Sequence, residues 1–302
     1  MTASRSSESI RLSIVFLNYN RVDETRLTLQ ILRELAGKRT DTEIFAVDNG
    51  STDGTGDYLR RQSDINTVLL HENLGIAGYN HAFRQAAGEF VLVLDDDSSP
   101  ADAETLELLL ATFDSHPQIG LIACHIENRD GSPQWSWHLP PGGVFAPSPF
   151  FVGCGFAVRR RLFAEIGWYP EDFFLYQNEI DVSFKVKQRN YKIFYHPRCR
   201  IVHRGDLAGR PGRRRVYYPT RNTIWLIRRY YPRSQAAYMI FSRLVIGLIR
   251  ALYFREPLTY CRAVADGFGK EISRQVLSPR IREESLPFWK QNSLFHQLLQ
   301  SV

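Results

Sequence analysis

Apolar and polar positions alternate in two rhythms along residues 10–127. Short apolar or β-branched runs predict strands, and amphipathic stretches between them predict helices. The predicted strands cover residues 12–17, 43–47, 66–70, 90–94 and 119–124. The predicted helices cover residues 23–35, 77–87 and 103–113. This alternation indicates an α/β fold with a Rossmann-like, mostly parallel sheet and helices on both faces.

Beyond residue 127 the pattern is less regular. Residues 131–149 are rich in Pro, Gly and Trp and are too long for an idle turn, which predicts a loop on the substrate side. Strand patterns return at residues 151–158, 192–195 and 200–203, and helical patterns occur at 161–166 and 180–189. From residue 216 onward the chain is predicted to be helical, with breaks at Pro232, Pro257 and Pro279.

Composition indicates an ordinary globular chain. Its 302 residues are 44% hydrophobic and 23% charged, enough for one large α/β domain with a helical extension. Four widely spaced cysteines favour neither a disulfide framework nor a zinc site, so a cytoplasmic setting fits best. The polar first nine residues predict a disordered N-terminus rather than a secretory signal. Arg243 and Arg250 interrupt the most apolar stretch, residues 236–254, short of the ~20 apolar residues of a spanning helix.

The net charge of +6 is unevenly distributed along the chain. Residues 1–200 carry 20 Lys and Arg against 26 Asp and Glu, whereas residues 201–302 carry 18 against 6. A basic C-terminal third is expected to meet anions such as phosphates, lipid headgroups or nucleic acid. Its arginines interleave with aromatic and aliphatic residues, as in helices that lie on an anionic membrane. A buried helix hairpin that forms homo-oligomers or caps the catalytic domain is the alternative.

Three consecutive carboxylates, Asp95, Asp96 and Asp97, follow the apolar run 90–94 directly. Ligands gather at the carboxyl ends of parallel strands, and adjacent acids repel one another unless a cation relieves them. Carboxylate oxygens suit Mg²⁺ or Mn²⁺, which keep room for substrate phosphates. A solvated acidic turn or a helix N-cap is the competing interpretation.

Polar residues that end the first two predicted strands are expected at the same edge of the sheet. A nucleotide lying across that edge would take hydrogen bonds from its base and ribose to these residues, while metal at the acidic triplet holds its diphosphate. The candidates are Asn18, Asn20, Asp48, Asn49 and Ser51. Between Asn73 and Asn80, Gly75 and its small neighbours could let backbone amides approach a phosphate, although a helix-start turn explains them equally well.

Four segments in this order resemble family 2 glycosyltransferases, an inverting group with the GT-A fold. They are VDNGSTDGT (47–55), ENLGIAGYNHAFRQAAGEFVLVLDDDSSP (72–100), FFLYQNEIDVSFKVKQRNYKIFYHP (173–197) and IVH (201–203). The resemblance covers about residues 10–230, and YYPTRNTIWLIRRYYP (217–232) is similar to the rhamnosyltransferase branch. It implies a catalytic domain at 10–215, with a nucleotide-sugar half at 10–127 and an acceptor half at 128–215, followed by a basic helical region at 216–302.

The resemblance assigns roles to the acidic triplet. Asp97 becomes the metal-binding end of a DxD motif, and Asp95 lies on its ribose or metal side. Asp96 is the less constrained middle residue, on the nucleotide-sugar side. His203 matches a family histidine that completes the metal shell, so the implied cofactor is Mn²⁺ or Mg²⁺.

The family's catalytic base belongs to an E-D-x-D segment near a helix start, where this chain has Asn178-Glu179-Ile180-Asp181. Glu179 takes the base position in place of the usual Asp, with Asp181 in reserve. Alternatively, both acids are a first-turn pair stabilised by the helix dipole.

Further candidates have weaker support. The resemblance implies that Arg221 folds over the donor diphosphate. A solvated charge in a loop is an equally good interpretation of this arginine. Gly153, Cys154 and Gly155 could bring backbone near the acceptor, or mark a strand bulge. Trp137 could stack on a sugar or pack in the core.

The function expected from these observations is non-processive, inverting transfer of one sugar to a hydroxyl. The donor is dTDP-rhamnose by the branch resemblance, or a UDP-sugar carrying hexose, galactofuranose or N-acetylhexosamine. The acceptor is a cell-surface glycan or a polyprenyl-diphosphate-linked sugar at the inner face of the cytoplasmic membrane, and no nucleic acid is expected as partner. Nucleotidyl transfer is disfavoured because no P-loop is present. A basic membrane- or nucleic-acid-binding scaffold with a degenerate site is the alternative from another class.

Overall fold

The computed structural model describes residues 9–37, 39–134, 143–205 and 212–291. The chain forms two compact units. The sheet unit comprises Met1–Glu171 and Asn190–Gly205, and the helical unit comprises Asp172–Arg189 and Asp206–Val302. This grouping cuts across the domain boundary expected at residue 215, and the proposed domain limits stay a prediction.

The first half of the sheet unit follows the predicted strand and helix alternation. Its elements are β1 Leu12–Asn18, α1 Val22–Ala36, β2 Thr42–Asn49, α2 Thr55–Arg60, β3 Asn66–Leu70, a 3₁₀ turn Gly75–Gly78, α3 Tyr79–Phe83 and β4 Phe90–Asp95. β1 and β4 are buried along almost their whole length, because helices cover both faces of the sheet. Their side chains form the centre of the core together with Leu29, Leu32 and Leu59.

The second half of this unit contains β5 Ser98–Pro100, α4 Ala103–Ser115, β6 Ile119–Glu127, β7 Ala146–Pro147, β8 Gly155–Arg159, α5 Arg160–Glu165 and β9 Lys192–His203. Among the described residues the strands form one sheet in the order β3-β2-β1-β4-β8-β6-β9-β5, with β7 also on β9. The pairs from β3 to β4 are parallel. β8 runs antiparallel to both β4 and β6, so the α/β class is as predicted but only the first half of the sheet is purely parallel.

Several predicted boundaries differ from the structure. The helix predicted at 77–87 is shorter in the structure: a 3₁₀ turn occupies Gly75–Gly78 and α3 ends at Phe83. Beyond its end, the Glu43 carboxylate accepts the Ala87 amide at 2.7 Å. The strand predicted at 151–158 begins only at Gly155. The two strands predicted at 192–195 and 200–203 form the single strand β9, with a register shift against β6. The short helix α2 was not predicted.

The helical unit contains α6 Asn178–Gln188, α7 Gly212–Tyr230, α8 Arg233–Tyr253, α9 Pro257–Gly269 and α10 Pro279–Gln291. Prolines punctuate it as predicted, since α8 follows Pro232 and the last two helices begin at Pro257 and Pro279. α7 and α9 pack closely because Gly267 has no side chain: a Cβ there would lie 2.7 Å from Ile224 Cδ1.

Candidate functional site

The acidic triplet and the predicted histidine meet in the sheet unit. Asp95, Asp97 and His203 each offer a ligand atom, and these atoms all lie within 4.8 Å of one another. His203 Nε2 is 3.2 Å from Asp97 Oδ1, and both side chains are buried. Two carboxylates and an imidazole suit Mn²⁺ well, so the donor set fits the divalent ion expected from the sequence.

Strand pairing brings these residues together. β5 runs antiparallel to β9, and its first residue, Ser98, pairs with His203 across the ladder. The Ser98 hydroxyl also accepts the Asp95 amide at 2.8 Å and donates to the Cys154 carbonyl at 2.7 Å. Gly205 completes the close approach, since a Cβ there would lie 2.4 Å from Asp97 Oδ2.

Arg21 is a member of the cluster that sequence reasoning missed. Its guanidinium contacts Asp96 at 2.8 Å and also forms an ion pair with Asp97. Burial, followed by repulsion from Asp97, raises the pKa of Asp96 to about 8 against the attraction of Arg21. Burial also opposes ionisation of Asp97, yet its hydrogen bond to His203 and its contact with Arg21 hold the pKa of Asp97 well below the usual range. The position of Arg21, directly after the polar end of the first strand, was the available signal.

The remaining nucleotide candidates lie at the carboxyl ends of β1 and β2 or in the loops that follow them, and their polar groups brace those loops. The buried Asn18 amide donates to the Val47 carbonyl at 3.0 Å. Asn20 accepts the Thr52 amide at 2.7 Å, and its own amide donates to the Ser51 hydroxyl at 2.9 Å. The Asp48 carboxylate accepts the amide of Ser51. These contacts connect the two strand ends, and a role in nucleotide binding stays a prediction.

A second group of candidates fixes the turn before α3. Asn49 donates to Asn73 Oδ1 at 3.0 Å and to the Gly75 carbonyl at 2.9 Å. Gly75 has a φ of +61°, a left-handed conformation that favours glycine. Asn80 is buried and makes a reciprocal pair of hydrogen bonds with the backbone of Tyr169. The turn is therefore held mainly by side-chain amides.

The candidate base lies in the helical unit at the start of α6. The loop before it holds three non-glycine residues with positive φ: Phe174, Tyr176 and Gln177. Such backbone is costly and persists only where surrounding contacts enforce it. Here the enforcing contact is the buried Asn222 side chain of α7, whose amide nitrogen lies within 3.0 Å of the carbonyls of residues 173, 175 and 176. Glu179, in the first turn of α6, is half-buried.

Asp181, the reserve candidate, has a different environment. Its side chain is fully buried and accepts the Tyr230 hydroxyl at 2.7 Å and Arg229 Nη1 at 3.0 Å. Lys185 lies 2.7 Å from its other oxygen. A carboxylate surrounded in this way is well suited to anchoring α6 on α7.

The other candidates are placed as follows. Arg221 donates to the carbonyls of Asp172 and Phe173 and lies 4.2 Å from the ring centroid of Trp225, so it supports the loop before Glu179. Gly155 begins β8 and packs where a Cβ would be 2.7 Å from Ile126 Cδ1. Cys154 is buried and Gly153 lies in the turn before β8. Trp137 lies outside the described residues.

Comparison with known proteins gives the class of this fold. The sequence model of "Glycosyl transferase family 2" matches residues 13–181. The mannosyltransferase PcManGT from Pyrobaculum calidifontis, in complex with GDP-Man and Mn²⁺, has a similar fold, with a TM-score of 0.60 at 20% identity over 98% of this chain and 84% of that one. S. aureus TarS 1-349 in complex with UDP-GlcNAc aligns with a TM-score of 0.62 at 16% identity, over 96% and 92% of the two chains.

The chain belongs to glycosyl transferase family 2, so the predicted family, GT-A fold and glycosyltransferase class are confirmed. Curated relatives include a low-salt glycan biosynthesis hexosyltransferase of Haloferax volcanii, 24% identical over 63% of this chain and 65% of the relative. An N-acetylglucosaminyl-diphospho-decaprenol L-rhamnosyltransferase of Mycobacterium tuberculosis is 23% identical over 53% and 66%. The chain thus spans just under two thirds of the length of these two relatives.

Proposed function

We propose that the protein transfers one sugar from a nucleoside diphosphate donor to an acceptor hydroxyl, with inversion at the anomeric carbon. The observation that supports this most is the convergence of Asp95, Asp97 and His203 at the edge of the sheet. A divalent ion held there would neutralise the charge that builds up on the leaving diphosphate. Arg21 contributes a further positive charge at the same place.

Glu179 is the proposed general base. It is half-buried and follows a strained, tightly braced loop, which fixes the carboxylate relative to the rest of the helical unit. Its proposed task is to accept the proton of the acceptor hydroxyl during attack, and one such base suffices for inversion. Asp181 is proposed to position α6 rather than to react, because its oxygens already face Arg229, Tyr230 and Lys185.

The proposed donor is dTDP-rhamnose, with UDP-sugars as the alternative. The rhamnosyltransferase of M. tuberculosis supports the first, and the TarS complex with UDP-GlcNAc supports the second. The name of the rhamnosyltransferase also supports a lipid-linked sugar as acceptor. This proposal places the protein on the cytoplasmic side of a membrane that supplies such acceptors.

A thermal-shift panel of nucleotide sugars with and without Mn²⁺ tests the donor proposal. A ligand that binds only the folded state increases the free energy of unfolding, by about 2.7 kcal/mol at one hundred times its Kd. The melting temperature rises as a result. We expect a Mn²⁺-dependent shift for one donor class, lost in Asp97→Asn and kept in Asp57→Asn, an exposed control. No shift from any donor would favour the scaffold interpretation, whereas unchanged sugar transfer by Asp97→Asn would contradict the proposed metal role of Asp97.

A further inference from the structure

The helical unit contains a cavity of about 170 Å³ between α7 and α8 that the donor site does not use. Two arginines of α8, Arg243 and Arg250, line it together with Thr220, Thr223 and Gln177. Its lining among the described residues includes no acidic side chain. A small cleft with two guanidinium groups, two hydroxyls and an amide presents hydrogen-bond donors to an anion.

Both arginines are partly withdrawn from water. Burial lowers the pKa of Arg243 to about 10, and its Nη2 donates to the Trp289 carbonyl at 2.7 Å. Part of the Arg250 side chain stays exposed, yet burial of the rest and repulsion from Arg215 lower its pKa, against the influence of Tyr176. Within the described ranges no carboxylate lies within ion-pair distance of Arg250. Two guanidinium-bearing side chains in the wall of a cleft whose described lining contains no acid favour the entry of an anion.

A larger, mainly apolar groove of about 710 Å³ adjoins this cavity, between α8 and α10. Arg243 and Trp289 line both spaces, and the Arg243 guanidinium lies 5.0 Å from the centroid of the indole ring. The wall of the larger space also contains Arg282 and Glu283, but most of its exposed area is apolar. Tyr238, Met239 and Leu286 line the groove. An amphiphile with a charged head and a hydrocarbon chain matches this pair of spaces.

The outer face of α8 indicates where such an amphiphile would come from. Tyr238, Phe241 and Leu252 are 76%, 68% and 60% exposed and lie on one face of the helix. By length and composition alone, α8 is long and apolar enough to cross a membrane. α8 carries three arginines and no acid, and its inner face packs on α7 and α9. A helix of this kind suits the surface of an anionic bilayer.

We propose that the cavity between α7 and α8 binds the phosphate or diphosphate of an isoprenoid lipid, whose hydrocarbon chain lies in the adjoining groove. The choice of an isoprenoid rests on the proposed function, because a lipid-linked sugar is the proposed acceptor. Gln177, whose amide donates to the Thr223 hydroxyl at 3.0 Å in the cavity wall, lies two residues before Glu179. Binding of the phosphate here would anchor the acceptor on the helical unit that carries the proposed base.

Isothermal titration of the full chain with farnesyl diphosphate tests the proposal, and inorganic pyrophosphate and farnesol serve as the two half-ligands. We expect farnesyl diphosphate to bind more tightly than either half. Arg250→Gln should weaken it at least about tenfold, the loss of one charge-assisted contact. Arg250→Lys should recover part of the affinity, and Arg233→Gln, on the same helix but outside both spaces, should leave it unchanged.

Other outcomes overturn the inference. Pyrophosphate binding as tightly as farnesyl diphosphate would make this a site for free phosphates, and equal binding by farnesol would make the arginines irrelevant. Binding of farnesyl diphosphate that is unchanged in Arg250→Gln would place the lipid outside this cavity. The titration needs neither donor nor metal, so its failure beside an intact Mn²⁺-dependent donor shift counts against this inference alone. The reverse result counts against the proposed donor site.

Discussion

Removing the Asp181 carboxylate should make the helical unit less stable, whereas removing the Glu179 carboxylate should strongly slow the proposed sugar transfer. Asp181 has no exposed surface, and its oxygens face Arg229, Tyr230 and Lys185 at 3.0, 2.7 and 2.7 Å. In Asp181→Ala two cations that are only 15% and 18% exposed would lose their common counter-charge. Their desolvation is then no longer compensated.

The size of the effect follows from this geometry. Breaking a buried ion pair by removing one partner costs about 3–5 kcal/mol. Arg229 retains Asp172 at 3.6 Å, so the lower end, about 3 kcal/mol, is expected. That raises the unfolded fraction of the helical unit more than a hundredfold. Tyr230→Phe removes only one hydrogen bond to the same carboxylate and should cost about 1.5 kcal/mol.

Glu179→Gln has the opposite expected signature. Glu179 is half-buried and glutamine has nearly the same shape, so the free energy of unfolding should stay within about 0.5 kcal/mol of the parent value. Loss of a general base should lower kcat by roughly 10²–10⁴-fold. Urea unfolding followed by circular dichroism and a sugar-transfer assay on the same preparations separate the two effects. If Asp181→Ala keeps its stability and loses turnover while Glu179→Gln stays active, the assignment is reversed.

Three smaller predictions concern single contacts. Gly205→Ala places a Cβ 2.4 Å from Asp97 Oδ2 and should abolish the Mn²⁺-dependent thermal shift without unfolding the chain; an unchanged shift would contradict the metal site. His196 Nδ1 accepts the backbone amides of residues 198 and 199, and burial, then Arg198, lower its pKa. Because the unfolded state then binds the proton more readily, the free energy of unfolding should fall as pH drops below about 6.5. The fall should be smaller in His196→Asn, which keeps a hydrogen-bond acceptor but has no imidazole to protonate. Urea unfolding at pH 5 and pH 7 measures this loss, and an equal loss in parent and variant would contradict the prediction. Asn222→Ala releases the carbonyls of the loop before Glu179 and should lower kcat more than it raises KM; steady-state kinetics showing only a KM change would argue against loop positioning.

The sequence by itself determined the fold class and the order of most elements. A short apolar run such as 90–94 favours a strand covered on both faces, and the structure has β4 there. Pro232, Pro257 and Pro279 lie directly before or at the first residue of a helix, where proline is well tolerated, although α7 also contains Pro219 in its interior. Local sequence also marked Asp95 to Asp97 as a ligand cluster, because a strand end followed by acids is visible without any tertiary contact. Local sequence did not show why a glycine is needed at position 155. The reason is the close packing of Ile126 against Gly155, which is a contact between distant parts of the chain.

Tertiary structure decided which of the candidate groups meet. His203 lies beside the acids because β5 and β9 pair antiparallel, although these strands are about one hundred residues apart in the sequence. No local pattern encodes this register. Arg21 reaches Asp97 through another long-range pairing. β1 and β4 run parallel, so the residues that follow the ends of these two strands lie side by side. Likewise, Glu179 and Asp181 are two residues apart on one helix, yet α7 supplies buried partners to Asp181, so burial separates two acids that look equivalent in the sequence.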